Sequence, residues 1–297
     1  MRDEANPAQA VSALRPFPWA SLLWFSLLLV ALYAPVLAAM VREWAIQEEM
    51  GHGFFVPLVV GYIVWCKRAE LLAIPTRADW RGTVLVLWGF AQLWLGTAAA
   101  DFFLARTAFI VSLLGVIWTL GGLKLLRSLA FPLLLLLFMI RIPQFIYSQI
   151  TFPLQLLASR IAAVWLGLLS IPVLREGNIL ELASQRLSVV EACSGIRSLL
   201  SLSFLALVYG YFFDRKLWIR CALLLATVPI AIFTNAFRVT LTGVLSEFDP
   251  SLTLGLFHQL EGWGMFLIAL AALVAVHRIL NGIYSFAHGR RLKARLP

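Results

Sequence analysis

Long, nearly uncharged apolar runs constrain this chain more than any other feature. Residues 19–41 and 82–100 are two such runs, and each approaches the roughly 20 residues that a helix needs to cross a hydrocarbon core about 30 Å thick. Hydrophobic residues make up 61% of the 297 positions and charged residues 13%, whereas soluble domains carry about 25% charged residues. The composition therefore excludes an ordinary soluble domain and predicts a membrane protein with several spanning helices.

The predicted fold is an all-α polytopic membrane protein with about eight transmembrane helices. The expected helices cover approximately residues 19–41, 53–66, 82–100, 102–122, 128–140, 194–213, 220–245 and 258–280. No cleavable signal peptide is predicted, because the first apolar run is too long and has no clear cleavage site. The expected divisions are a cytoplasmic N-terminal segment at 1–18, a single transmembrane domain at 19–280 and a basic cytoplasmic tail at 281–297.

The net charge of +9 has a topological interpretation. Most of the 24 Lys and Arg residues lie in the two termini and in alternate connectors between the predicted helices. Basic residues collect on the cytoplasmic side of membrane proteins, so both termini are expected in the cytoplasm. The charge therefore predicts an orientation and does not predict a nucleic-acid partner.

Two stretches do not fit a simple series of helices. Residues 151–173 are apolar enough to span, but a ninth crossing would place the basic tail outside, so this segment is expected outside the membrane or re-entrant. Residues 178–182 and 187–190 favour β-strands, with a plausible turn at 183–186. A small extracytoplasmic hairpin before helix six is predicted, and an irregular loop is the alternative.

The predicted topology separates the three cysteines. Cys66 and Cys221 fall at cytoplasmic helix ends and are interpreted as small apolar fillers. Cys193 falls at the outer end of helix six, where a polar loop becomes a helix, and a helix N-terminus favours the thiolate. Arg197 lies one turn later and adds positive potential, while Glu191 opposes the thiolate unless it pairs with Arg197. Cys193 is therefore the candidate nucleophile.

An arginine and two histidines complete the candidate site. Arg238 lies well inside helix seven, where a charge costs about 2.5 to 3.5 kcal/mol and usually faces a cavity and a partner. Asn235 lies on its own helix face, one turn away. His258, at the start of helix eight, is one candidate base for a thiol nucleophile, and His52, at the outer end of helix two, is the other. The alternative for Arg238 is a structural bond to carbonyl groups.

Several other polar residues in apolar segments are interpreted as structural. Arg106 and Asp101 are expected to pair at the outer end of helix four. Arg141, next to a proline, is expected at the membrane interface. His277 and the arginines of the tail are interpreted as anchors to lipid headgroups. No metal site and no cofactor are predicted.

Five ordered motifs resemble those of the exosortase family, within the wider exosortase and archaeosortase superfamily of membrane enzymes. Residues 189–198, VVEACSGIRS, are similar to the family's cysteine motif, and residues 235–239, NAFRV, to its arginine motif. His258 matches the family histidine. Residues 51–57, GHGFFVP, resemble the N-terminal motif, although Gly51 stands where the family usually has Ser. Residues 176–178, EGN, resemble the loop before the cysteine.

The resemblance implies a Cys–Arg–His protease or transpeptidase formed by Cys193, Arg238 and His258. It further implies a bacterial cytoplasmic (inner) membrane protein whose active site faces the extracytoplasmic side. The expected substrates are exported proteins that end in a Pro-Glu-Pro motif, an apolar helix and a basic segment, with membrane lipids as the surroundings. Substrate-binding roles are predicted for Arg197, Glu191, Asn235 and His52.

Two other classes of function are compatible with the composition. A polytopic transporter or channel would use Arg238 and Arg106 to bind an anionic solute, and it would not need Cys193. A non-catalytic membrane subunit of polysaccharide export is the third possibility. Processing of a substrate by a Cys193 variant distinguishes the enzyme from both alternatives.

Overall fold

A computed structural model describes residues 19–189, 195–249 and 256–293, and helices dominate the described chain. Two compact units divide between Pro143 and Gln144. The predicted class, a mostly helical polytopic membrane protein, is confirmed.

The first unit consists of helices joined by short connections. A bend of 71° separates α1 from α2, where Pro35 opens the second helix. The side chain of Tyr33 at the bend is fully buried, and its hydroxyl lies 2.8 Å from Ser112 Oγ and donates to the Gly89 carbonyl. The elements are α1 (Trp19–Leu32), α2 (Ala34–Ile46), a 3-10 helix (Glu48–Phe54), α3 (Phe55–Cys66), α4 (Arg68–Leu72), α5 (Arg81–Ala98), α6 (Phe102–Ser128), α7 (Ala130–Leu135) and a second 3-10 helix (Leu136–Met139).

Close approach of α5 to α6 depends on a row of glycines. Gly82, Gly89 and Gly96 recur every seven residues along α5 and are all buried. A Cβ on Gly89 would collide with the Ser112 hydroxyl and lie 3.0 Å from the Ser112 backbone nitrogen. Small residues of this kind let helix backbones approach closely within membranes.

The second unit contains four long helices and a small sheet. Helices α8, α9 and α11 all pack on α10, and one core cluster includes Leu202, Leu223 and Leu273 from three of these helices. The elements are α8 (Gln144–Leu168), β1 (Val173–Glu176), β2 (Ile179–Leu182), β3 (Arg186–Ser188), α9 (Gly195–Phe213), α10 (Leu217–Phe248) and α11 (Leu256–Lys293).

The three strands form an antiparallel sheet in the order β1-β2-β3. The predicted hairpin corresponds to β2 and β3, in which Leu180 faces Leu187. A strand that was not predicted, β1, pairs with β2 through a tight turn where Gly177 adopts a φ of +65°, a conformation that glycine adopts without steric cost. The position of this sheet on the outer side of the membrane stays a prediction.

The helices that could span differ from the prediction. In the described residues, five helices are long and apolar enough to cross, and the bent pair α1–α2 makes up to six, so the predicted count of eight is not confirmed. The five are Glu49–Cys66, Phe102–Ser128, Gln144–Leu168, Leu217–Phe248 and Gly262–Ala287.

Two neighbouring segments exchange their expected roles. The predicted span at 128–140 contains only the ten-residue apolar stretch Ala130–Met139, which at 1.5 Å per residue is about 15 Å long and too short to cross. Most of the segment predicted to stay outside or re-entrant, 151–173, belongs instead to the 25-residue helix Gln144–Leu168. That helix is about 37 Å long, which is enough to cross.

The glycine row on α5 generates a prediction with a matched control. Gly89→Ala should lower the free energy of unfolding by about 1 to 3 kcal/mol, because its methyl group meets α6 where there is no room. Gly61→Ala, on α3, has no atom within 4 Å of the added carbon and should be neutral or slightly stabilising. Thermal unfolding in detergent compares the two variants, and equal stability of both would contradict this account of the α5–α6 contact.

Candidate active site

The structure describes some of the predicted site residues and not others. Cys193 and Glu191 lie outside the described residues. Arg197 and His258 lie in α9 and α11, but their side chains are outside the described part of the chain. Of the three predicted catalytic residues, Arg238 is the one whose side chain is described, and it is half-buried on α10.

Arg238 lies in a polar stretch of α10. Asn235, one turn earlier, is buried with 8% of its surface exposed. The hydroxyl groups of this stretch bond within the helix: Thr234 Oγ1 donates to the Ile230 carbonyl at 2.8 Å, and Thr242 Oγ1 to the Arg238 carbonyl at 3.0 Å. Hydroxyls satisfied in this way are ordinary in helices. The guanidinium and the Asn235 amide are thus the groups of this stretch that suit binding or catalysis.

Helix α11 meets the Arg238 guanidinium at a glycine. A Cβ built on Gly262 would lie 3.7 Å from Arg238 Nη2 and 3.8 Å from Arg238 Cζ, so the guanidinium packs against bare helix backbone. Gly262 comes four residues, or about one turn, after His258 on α11. Arg238 therefore contacts the helix that carries the candidate histidine, one turn from it.

The segment before the cysteine is anchored next to Arg238. Val189 is fully buried in a cluster that also contains Leu187, Leu166 and Val239, the residue after Arg238. After the undescribed residues 190–194, the chain continues into α9, which packs on α10. The chain therefore enters and leaves the cysteine motif on elements that contact the arginine helix.

The sheet is tied to the same helix. At the turn between β2 and β3, Ser184 donates from its backbone nitrogen at 3.1 Å and from its hydroxyl at 2.7 Å to Glu247 Oε1. Glu247 lies near the end of α10, nine residues after Arg238. These bonds fix the hairpin against the end of α10, and β3 then leads directly to the cysteine motif.

His52 has a structural contact within the first unit. Its Nε2 donates to the Phe138 carbonyl at 3.1 Å, and nearby Trp44 Nε1 donates to the Met139 carbonyl at 3.0 Å. A Cβ on Gly53 would lie 2.6 Å from the Trp44 ring, so the glycine is required there by packing. His52 thus fastens one 3-10 helix to the other, and its predicted role toward substrate stays a prediction.

The predicted pairing of Arg106 with Asp101 is wrong. Arg106 Nη1 lies 2.7 Å from Glu43 Oε2, while Asp101 Oδ1 accepts from the Leu104 backbone nitrogen and caps α6. Arg141 also reaches Glu43, at 3.5 Å. Arg106 pairs within the fold as expected, but its partner is on α2, and the position of Arg141 at the membrane interface stays a prediction. Because Arg106 already pairs with a carboxylate of the chain, the reading of this residue as an anion site in a transporter loses its support.

The interpretation of His277 as a headgroup anchor is also wrong. His277 is buried, its Nδ1 lies 2.9 Å from the Tyr209 hydroxyl, and its Nε2 lies 3.3 Å from Asp214 Oδ2. Asn281 Nδ2 lies 2.8 Å from His277 Nε2 and 3.1 Å from Asp214 Oδ2. We call this group of Tyr209, Asp214, His277 and Asn281 the polar latch. It joins the end of α9 to α11, and a hydropathy pattern contains no signal for it.

Asp214 carries the charge of the polar latch. Burial alone raises the pKa of its carboxyl, but hydrogen bonds from the Lys216 backbone nitrogen, Asn281 and His277 outweigh burial and hold the pKa below its ordinary value. The Asp214 backbone carbonyl accepts from Arg220 Nε at 2.8 Å and from its Nη2 at 2.6 Å. The connector between α9 and α10 is thus fixed through both its side chain and its backbone.

The two described cysteines and the described metal-binding side chains form no second catalytic or metal centre. Cys66 and Cys221 are exposed and unbridged. Within the described residues, no group of three or more His, Cys, Asp or Glu side chains is placed to hold a metal ion.

Comparison with known proteins gives one match. A family model described as transmembrane exosortase (Exosortase_EpsH) matches residues 44–275, and so extends over both units. No curated protein matches the chain, and no solved structure matches it either.

The polar latch generates a prediction about pH. Asp214→Asn should lower the free energy of unfolding by about 1 to 3 kcal/mol near neutral pH, because an NH2 group that cannot accept replaces one of the carboxylate oxygens bonded to Lys216, His277 and Asn281. The lowered pKa of Asp214 means that its stabilisation is present above about pH 4 and is lost as the pH falls through the folded-state pKa. The difference between wild type and variant, measured by thermal unfolding, should therefore shrink in acid. Glu70→Gln, at an exposed site, removes the same charge and should show neither effect.

Proposed function

This chain belongs to the transmembrane exosortase family, and from that premise we propose that it is a membrane-embedded cysteine protease or transpeptidase. Its proposed substrates are exported proteins with a C-terminal Pro-Glu-Pro motif, an apolar helix and a basic cytoplasmic end. The proposed catalytic residues are Cys193, Arg238 and His258, with no cofactor. The acceptor after cleavage is water or an amine.

The observation that carries this proposal is the surroundings of Arg238. Its guanidinium lies against Gly262, one turn after His258 on α11. The next residue, Val239, shares a buried cluster with Val189, and the four residues from Val189 to Cys193 reach at most about 14 Å when extended. Residues that flank the cysteine and the histidine thus pack against two consecutive residues of α10, Val239 and Arg238, which supports a common site.

In the first half of the proposed reaction, the Cys193 thiolate attacks a peptide carbonyl carbon near the sorting motif. The carbonyl oxygen becomes an oxyanion, which the Arg238 guanidinium stabilises. One well-placed donor is typically worth about 3 to 4 kcal/mol to the transition state. The oxyanion collapses, the carbon–nitrogen bond breaks, and protonated His258 gives a proton to the leaving amine. The products are a thioester on Cys193 and the released C-terminal segment.

In the second half, neutral His258 accepts a proton from water or an acceptor amine. The nucleophile attacks the thioester carbon, Arg238 again faces the oxyanion, and the carbon–sulfur bond breaks to restore the thiolate. Protonated His258 is then ready for another cycle. The balance requires no oxidant, reductant or metal.

The proposed topology combines parity with helix length. In this proposal helix α8 crosses the membrane and the segment Ala130–Met139 does not. Exchanging one crossing for the other leaves the parity of the predicted crossings unchanged, so both termini stay in the cytoplasm. The ends of α9 and α11 that begin at Gly195 and Leu256 then face outward. The basic end of the substrate remains in the cytoplasm, so the length of its apolar helix sets the depth of the scissile bond.

Substrate-binding roles are proposed for polar residues of the second unit. Arg197 binds the acidic residue of the sorting motif, unless it pairs with Glu191. Asn235, buried one turn from Arg238, orients the reacting carbonyl. A substrate-binding role for His52, whose Nε2 donates to the Phe138 carbonyl in the first unit, stays a prediction.

Substitution of the proposed nucleophile tests the reaction class. Cys193→Ala should abolish loss of the C-terminal helix from a co-expressed substrate, because no thioester can form. Cys221→Ala, at an exposed cysteine outside the proposed site, should process substrate normally. The measurement is the substrate's mass in membranes, and full processing by Cys193→Ala would rule out thiol catalysis and leave the transporter and export-subunit alternatives.

Labelling of the native cysteines tests on which side of the membrane Cys193 lies. An impermeant thiol reagent applied from outside should label Cys193 and leave Cys66 and Cys221 unlabelled. Labelling of Cys221 from outside would overturn the proposed topology.

The proposed base is tested by comparing two histidines. His258→Ala should abolish cleavage, because no group remains to protonate the leaving amine, whereas His52→Gln should retain cleavage and lower thermal stability through the weakened bond to Phe138. Rates of substrate cleavage and thermal unfolding are measured for both variants. Cleavage that persists in His258→Ala but is lost in a stably folded His52→Gln would reverse the assignment.

A further inference from the structure

An apolar groove runs along α10 in the second unit. Its floor lies between Ala226 and Phe237 on α10, and its walls are formed by Trp165 of α8 and by the stretch of α11 from Ile268 to Val276. The volume is about 480 Å³. Helices α8 and α11 both pack on α10, and the groove is the space left over α10 between them.

The groove is suited to hydrocarbon and to nothing charged. Among its described lining residues, only Thr234 and the Trp165 indole carry a polar group, and the Thr234 hydroxyl donates to the Ile230 and Ala231 carbonyls of its own helix. An apolar occupant therefore takes no hydrogen bond from Thr234. A charged occupant would find no charged partner in the lining and would lose its own hydration.

Small and aromatic residues give the groove its shape. Ala226 and Ala272 leave room on the two facing helices, as small residues do where membrane helices approach closely. At the other end the Trp165 ring lies 6.3 Å from the Phe233 ring and 6.5 Å from the Phe237 ring. These rings form a firm apolar surface at the end of the groove nearest Arg238.

The groove ends at the level of the proposed catalytic arginine along α10. Phe237, the last lining residue on α10, directly precedes Arg238, and the guanidinium of Arg238 lies against Gly262 on the same helix that forms a wall. From Ala226 to Phe237 the floor is about 16 Å long, roughly half of a hydrocarbon core. An elongated apolar molecule in the groove therefore has one end at the level of Arg238.

We propose that this groove binds the apolar C-terminal helix of the protein substrate, an inference that rests on the proposed function. Cleavage near the outer end of that helix requires the helix to be held with its end at the level of Arg238, and the groove ends at that level. Three helical turns of contact accommodate one stripe of side chains, spaced three and four residues apart, from the substrate. Lipid and a second copy of this chain are the competing occupants.

Site-specific photocrosslinking tests the occupant directly. A photoreactive amino acid is placed at Phe233, on the groove floor, and separately at Leu225, which is 71% exposed on α10 but does not line the groove. Both are made in the Cys193→Ala background with a tagged substrate. Crosslinks to the substrate's apolar helix are expected from position 233 and not from 225. Equal crosslinking at both positions, or crosslinking of position 233 to lipid or to this chain alone, would overturn the proposal.

A steric variant supplies a second readout in the active enzyme. Ala272→Trp fills the groove and should raise the KM for full-length substrate about tenfold, equivalent to about 1.4 kcal/mol, with kcat unchanged. Ile279→Trp, exposed on α11 outside the groove, should leave KM unchanged. A fall in kcat for Ala272→Trp without a change in KM would assign the effect to the catalytic residues and contradict the groove.

The two experiments separate this inference from the proposed function. Crosslinking in the Cys193→Ala background does not depend on catalysis, so it reports on the groove whether or not the thiol mechanism holds. Normal cleavage by Cys193→Ala would refute the mechanism alone, whereas absent crosslinking at position 233 would refute the groove alone.

Discussion

The hydrocarbon core offers no hydrogen-bonding partner, so polar groups within it must find their partners inside the protein. The hydroxyls of α10 turn back to carbonyls of their own helix, as Thr234 does to Ile230. Arg106 finds a carboxylate on another helix, that of Glu43. The hydroxyl of Tyr33, at the bend between α1 and α2, lies within hydrogen-bonding distance of Ser112 on α6. Each of these groups thus has its hydrogen-bonding partner within the fold. Among the described polar residues that belong to sequence motifs, Arg238 is the one on α10 where residues next to the cysteine and histidine motifs also pack.

The sequence was informative where a signal is local. A charge inside an apolar run identified Arg238, β-favouring residues on both sides of a turn identified the hairpin at β2 and β3, and consecutive residues carried the resemblance at the cysteine motif. Partners distant in sequence could not be predicted in this way. Glu43 is 63 positions from Arg106, and His277 is 63 from Asp214, so no window of composition contains both members of either pair.

Hydropathy also measures composition and not continuity of the helix. The segment 128–140 is apolar, but its helix runs only from Ala130 to Met139, and Pro143 follows before α8 begins. In contrast, α8 continues through Pro153 for 25 residues, although it contains the polar residues Gln155 and Ser159. Those two side chains are buried against the protein, where Ser159 donates to the Gly177 carbonyl. Parity restricted the number of crossings, but it could not say which of two adjacent segments crosses.

The polar latch has a mechanical consequence for the far ends of the helices that it joins. Helix α9 is 19 residues long, about 28 Å, and it behaves as a rod held at the end near Asp214. A tilt of about two degrees at that end displaces the opposite end, where the cysteine motif begins, by about 1 Å. Displacements of that size can change catalytic rates about a hundredfold. The polar latch, in which Asp214 and His277 are buried, thus fixes one end of α9 and thereby sets the position of the other end, which the chain enters from the cysteine motif.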